Sequence, residues 1–154
     1  MKVYRISKTQ YAQDLNGTGS KLFGGRWNHV NTPCIYTSES RSLAVLEYAV
    51  NTAIDFIPRA LSICTFEIDD SLIHTLKEAA LPGNWQETPA PKSTKDFATS
   101  FLQKKHPILK LPSIIIPQEF NYVLNPLAEK SNFKLLEVKD FVFDLRIKES
   151  LSSR

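Results

Sequence analysis

Short apolar runs, several rich in β-branched residues and each cut off by proline, glycine or asparagine, constrain this chain more than any other feature. Residues 1–7 read as a strand, and residues 34–37 as a second one entered from Pro33. Residues 61–68 alternate with period two, residues 111–116 form a dense β-branched run ended by Pro117, and residues 120–124 run into the Asn125-Pro126 turn. Residues 133–138 and 141–145 supply two more strands. Only two segments read as helices: residues 43–53, with Ser38 or Ser40 as N-cap, and a stretch capped by Ser93 or Thr94 with Phe97, Phe101 and Leu102 on one side. The polar stretch through Asn16-Gly17-Thr18-Gly19 reads as a loop. So do residues 81–92, which contain Pro82, Gly83, Pro89 and Pro91. The pattern predicts an α+β domain with a split or strongly curved, mainly antiparallel sheet and a few short helices. One domain is expected over residues 1–147, with a frayed tail over 148–154.

Composition narrows the function classes. A formal net charge of +3, spread along 154 residues, is too mild to argue for direct nucleic-acid binding. No run of eighteen apolar residues occurs, and Met1-Lys2-Val3-Tyr4-Arg5 lacks the apolar stretch of a signal peptide. A cytoplasmic protein without a membrane partner is the expectation. Cys34 and Cys64 sit in apolar strand-like segments and read as buried thiols rather than a disulfide. His29, His74 and His106 show no ligand spacing, so no metal site is expected. There is no P-loop, no dinucleotide fingerprint and no nucleophile elbow.

Phe23-Gly24-Gly25-Arg26-Trp27-Asn28 stands out as a candidate site. Glycines allow sharp turns and close backbone approach, arginine offers a fork of donors for phosphate, and tryptophan offers a flat face. The run is either a holder for an anionic, partly aromatic molecule such as a nucleotide, or an ordinary turn with an exposed arginine. A second anomaly lies in the helix over residues 43–53. Leu43, Leu46, Val50 and Ala53 mark its core face, yet Glu47 falls within that stripe. A carboxylate there is paired, hydrogen-bonded or lining a cavity, unless it sits at the stripe's edge and reaches solvent. Arg5 lies between Tyr4 and Ile6 and points to the opposite face, either as a solvated charge or as an inward partner for phosphate or Glu47. Tyr36, inside a strand, reads alone as a core aromatic, and Ser113 as a hydroxyl bonded to nearby backbone at a strand start.

In order, these pieces resemble the RES domain, the toxin half of a bacterial toxin–antitoxin module named for an arginine, a glutamate and a serine. Tyr4-Arg5-Ile6 matches the opening motif, Gly24-Gly25-Arg26-Trp27-Asn28 the glycine-arginine-tryptophan-asparagine stretch, and Ile35-Tyr36-Thr37-Ser38-Glu39 the tyrosine strand. Ala44-Val45-Leu46-Glu47 matches the glutamate helix, Pro112-Ser113 the serine position, and residues 121–126 the closing asparagine-rich motif. His29-Val30-Asn31 departs from the glycine common in relatives, which bears on loop shape.

The resemblance implies an ADP-ribosyltransferase-like fold that binds NAD+ as its substrate and needs no metal. Family members either cleave the nicotinamide–ribose bond, as NAD+ glycohydrolases or phosphorolases, or transfer ADP-ribose to a protein. By matching positions, Arg26, Tyr36, Glu47 and Ser113 are the expected active-site residues, and Arg5, Trp27 and Asn121 join Arg26, Tyr36 and Ser113 in holding NAD+. Glu47 would stabilise the cationic ribose, Arg26 the pyrophosphate, Tyr36 would flank the nicotinamide, and Ser113 would place one hydrogen bond near the nicotinamide ribose. The implied partner is a helix-turn-helix antitoxin of the Xre type that occludes the site. NAD+ consumption is the favoured reading. Mono-ADP-ribosylation of a protein, or a non-catalytic module that binds only the antitoxin, are the alternatives.

Overall fold

The computed structural model describes residues 1–129 and 133–152. Seven strands form one hydrogen-bonded sheet: β1 (Lys2–Lys8), β2 (Ile35–Ser38), β3 (Leu61–Ile68), β4 (Ile73–Thr75), β5 (Ile108–Pro112), β6 (Phe120–Leu124) and β7 (Phe133–Phe141). Among the described residues four α-helices accompany them: α1 (Thr18–Phe23), α2 (Arg41–Asn51), α3 (Lys92–Gln103) and α4 (Arg146–Ser152). The strand order is β4-β5-β6-β2-β1-β3-β7, and every neighbouring pair is antiparallel except β4 with β5. The α+β expectation holds, and so does the mainly antiparallel sheet.

The pairing strength along this sheet is uneven. β1 and β3 pair over their lengths from Lys2↔Glu67 to Lys8↔Leu61, and β2 pairs with β6 from Ile35↔Leu124 to Ser38↔Asn121. Between them, β1 and β2 share only Tyr4↔Ser38. The sheet is thus two well-paired halves, β4-β5-β6-β2 and β1-β3-β7, joined at a narrow seam. Directly opposed residues face the same side, so Tyr4, Ser38 and Tyr36 share one face and Val3 and Arg5 the other. On the first face, α3 packs Ala98 and Leu102 over Leu109, Leu111 and Val123, while α2 packs Ala44 and Ala49 near Ile6 and Leu61. The second face is covered by a separate cluster that includes Val3, Ala12, Cys64 and Phe66.

Several local expectations change. Residues expected to form a loop before the glycine pair include helix α1, entered from Gly17. The run 111–116 is not the strand: β5 ends at Pro112, and the Ser113 hydroxyl accepts the Ile115 and Ile116 amides, turning the chain away from the ladder. The strands expected over 133–138 and 141–145 are one strand, β7, with Leu136 left unopposed where the register shifts between Thr65 and Phe66. Helix α2 does begin after Ser40, whose Oγ accepts the Leu43 amide at 3.1 Å. Helix α3 has no side-chain cap, since its N-cap is Pro91 rather than Ser93 or Thr94. The buried residues of α2 are Leu43, Ala44 and Ala49, while Val50 is exposed. The face is rotated because the alanines allow the helix to lie close on β1. Glu47 consequently leaves the apolar stripe and sits half-buried on its flank.

The tail expected to fray from Lys148 is helical through Ser152, and residues 153 and 154 lie outside the described residues. Helix α4 is tied to α2: the Lys148 ammonium donates to the carbonyls of Ala49 and Thr52, two groups the end of α2 leaves without helical partners. Lys148→Ala is expected to lower stability by about 1 kcal/mol in urea denaturation. An unchanged midpoint would show the tie to be inconsequential. Cys34 and Cys64 are free, buried thiols, as expected, and burial pushes Cys34 up to about 12.

Candidate active site

The seam is where the polar side chains converge. Three segments from the β4-β5-β6-β2 half meet one side chain from α2. Asn121, on β6, donates through Nδ2 to Glu47 Oε1 at 2.6 Å and accepts the Ser38 hydroxyl at 2.7 Å. Ser113, fully buried just past β5, donates to the same Oε1 at 2.8 Å. A hydroxyl has one hydrogen and two lone pairs. With Ile115 and Ile116 donating to it, the Ser113 hydroxyl has its capacity filled. Ser113 therefore holds the carboxylate. Among the described residues no donor bonds Glu47 Oε2. One oxygen is pinned and the other is left available to a ligand.

The glycine pair forms a tight turn. Gly24 has φ +70°, a conformation costly for side-chain-bearing residues, and the Gly25 amide bonds the Asn28 carbonyl at 3.0 Å. A methyl on Gly25 would lie 2.6 Å from the Tyr36 hydroxyl, so only glycine fits there. That hydroxyl accepts the Trp27 amide at 3.0 Å and donates to Asn28 Oδ1 at 2.6 Å. Burial holds the Tyr36 phenol well above its ordinary value. Asn28, itself fully buried, sends its amide nitrogen to the carbonyls of Ser20 and Thr32, both at 2.9 Å. The Tyr36 hydroxyl fixes the backbone that follows Arg26, and the Gly25–Asn28 backbone bond closes the turn around it. The sequence assigns Asn28 no role beyond its place in the motif. An asparagine closing a Gly-Gly turn was the available signal.

Arg26 leaves this turn half-buried and reaches the 81–91 loop, where its Nη1 donates to the carbonyls of Trp85 at 3.1 Å and Glu87 at 2.8 Å. Its Nη2 donates to Thr88 Oγ1 at 3.1 Å. Burial lowers the guanidinium from its ordinary value, and the nearby negative charge of Glu47 opposes that shift. Arg26 thus feels the charge of the Glu47 carboxylate.

Two expected site residues are not brought in. The Trp27 indole is buried and stacks on Trp85, ring centroids 6.1 Å apart, so its flat face is used inside the core instead of for a ligand. Arg5 lies on the far face of the sheet, with Nη2 on the Ala12 carbonyl at 3.0 Å and the guanidinium 5.3 Å from the Phe66 ring centre. Strand alternation, which put Arg5 opposite Tyr4, also puts it opposite α2 and Glu47. Glu47, Ser113 and Asn121 form one hydrogen-bonded group, and Tyr36 with the Arg26 turn forms a second.

The family model for the RES domain matches residues 2–146. This chain belongs to the RES domain family. A protein named Toxin Res from Yersinia enterocolitica is 36% identical over 152 residues, covering 96% of this chain and 100% of that one. The Prs ADP-ribosylating toxin of a Sphingobium species is 33% identical over 147 residues, covering 92% and 91%. In the crystal structure of the M. tuberculosis MbcT–MbcA toxin–antitoxin complex, a chain 18% identical superposes with a TM-score of 0.71, covering 99% of this chain and 89% of that one. That likeness shows a shared fold. In this RES domain Glu47 and Ser113 meet at 2.8 Å.

Among the described residues no three His, Cys, Asp or Glu side chains converge, and no helix is long and apolar enough to cross a membrane.

Proposed function

We propose that the chain is the toxin of a toxin–antitoxin pair and that it consumes NAD+ by breaking the nicotinamide–ribose bond. The observation that carries this reading is the Glu47 carboxylate, with Oε1 fixed by Ser113 and Asn121, Oε2 open, and Arg26 within electrostatic reach. Cleavage builds positive charge on the ribose as the bond lengthens, a state related to that of glycoside hydrolysis. A carboxylate held still beside that carbon stabilises the charge without reorganising, which favours the transition state over the ground state. Nicotinamide departs as a neutral molecule, so no strong general acid is needed. Arg26 serves the pyrophosphate. Tyr36 contributes by holding the Arg26 turn. Water or phosphate at the anomeric carbon completes hydrolysis or phosphorolysis. The antitoxin is the proposed partner, in keeping with the complex in which the MbcT fold was solved, and the cytoplasm is the proposed compartment.

A second reading is favoured by one relative's name, the Prs ADP-ribosylating toxin: the acceptor is then a protein side chain. Incubating purified protein with NAD+ labelled in its ADP-ribose part, with and without cell extract, separates the two. Label in free ADP-ribose, or in its phosphorylated counterpart, supports consumption, and label in a protein band supports transfer. Absence of nicotinamide release under both conditions overturns both.

Ser113→Ala is expected to lower turnover roughly 10-fold, the worth of one hydrogen bond to a charged group, while NAD+ binding is kept. Steady-state kinetics check this. A rise in KM with full kcat would instead place Ser113 on the substrate.

A further inference from the structure

Arg26 is gripped at both ends. At its base the Gly25–Asn28 turn is locked by the Tyr36 hydroxyl, and at its tip three acceptors of the 85–88 segment hold the guanidinium. That segment is itself anchored. Trp85 is buried and stacked on Trp27, its amide bonds the Pro82 carbonyl at 3.0 Å, and Asn84 accepts the Ser93 hydroxyl of α3 at 2.7 Å.

A guanidinium has five N–H donors in a fixed plane. The carbonyls of Trp85 and Glu87 take both hydrogens of Nη1, and Thr88 takes one of Nη2. Nε–H and the second Nη2 hydrogen remain. Two donors on adjacent nitrogens make a fork suited to an anion that offers two oxygens.

We propose that Trp85–Thr88 is a positioning element that aims this remaining fork of Arg26 and so makes the site selective for ligands carrying a diphosphate. This rests on the NAD+ reading above and adds to it the part of the substrate that is selected. The segment touches no reacting atom. Its effect passes through Arg26, whose side chain is ordered before any ligand arrives, so binding spends little on immobilising it. A nucleoside lacking phosphate gains nothing from that order.

The test uses the full chain and three probes, ADP-ribose, adenosine and nicotinamide riboside, with binding read by calorimetry and turnover of NAD+ read alongside. Wild type is expected to bind ADP-ribose well above adenosine. Trp85→Leu should weaken ADP-ribose binding about 10-fold or more and raise the KM for NAD+ with kcat held, while nicotinamide riboside binding stays unchanged. Trp85→Phe should restore most of the loss by keeping an aromatic face on Trp27. Because Trp85 is buried, Thr88→Val at an exposed position gives a second measure, with a loss of a few-fold in the same direction. The proposal is overturned if ADP-ribose affinity is unchanged in Thr88→Val and in a folded Trp85→Leu, if all probes weaken alike, or if wild type shows no preference for diphosphate. Selective ADP-ribose binding without any NAD+ turnover would sustain the positioning role and defeat the NAD+-consuming reading.

Discussion

Replacing Glu47 with glutamine is expected to leave the fold and ADP-ribose affinity intact and to remove most NAD+ turnover. The amide oxygen of glutamine can still accept from Ser113 and Asn121, so both hydrogen bonds that now end on Oε1 survive. What disappears is the negative charge at the open position. Removing one preorganised electrostatic group of this kind typically costs on the order of 100- to 1000-fold in rate. Nicotinamide release by purified protein measures it, and turnover equal to wild type would take Glu47 out of the mechanism. Glu47→Ala is a different experiment. It leaves the buried Ser113 hydroxyl and the half-buried Asn121 amide without their shared acceptor, so it is expected to lower thermal stability as well as rate.

Arg26→Ala is expected to weaken ADP-ribose binding by at least roughly 100-fold, because it removes the two-donor fork and releases the 85–88 segment that aims it. Arg26→Lys is not expected to rescue it. An ammonium has three donors, all of which the carbonyls of Trp85 and Glu87 and the Thr88 hydroxyl would occupy, leaving none for phosphate. Calorimetry decides: affinity kept in the alanine variant would remove the phosphate role from Arg26.

The parts legible in the sequence were those whose signal is local. Strand β3 over Leu61–Ile68 and β6 over Phe120–Leu124 followed from apolar runs bounded by turns, and α2 from Ser40 and the helix formers after it. Strand β4 has three residues, too few for periodicity, and forms because β5 offers it a parallel edge. The 111–116 run has strand composition, yet hydrogen bonds from Ile115 and Ile116 to Ser113 override it. At the site, Glu47 was visible as a charge in an apolar stripe. Its partners Ser113 and Asn121 had no local mark, since what selects them is proximity across the sheet, and only the family resemblance pointed to them. Trp27 misled for a related reason. An indole beside an arginine fits a nucleotide equally well on paper, and the partner that buries it, Trp85, lies far along the chain in a loop without pattern.

Glu47 is bonded by side chains that follow it by 66 and 74 residues. During synthesis from the N-terminus, the carboxylate therefore leaves the ribosome well before either donor exists. β3 also waits for β7, the last strand among the described residues, to cover its open edge. A chain released early, after β3 or even after α3, carries Arg26, Tyr36 and Glu47 without the two donors that frame the carboxylate. Order of translation alone thus leaves the Glu47 carboxylate without its two framing donors until Asn121 has been added.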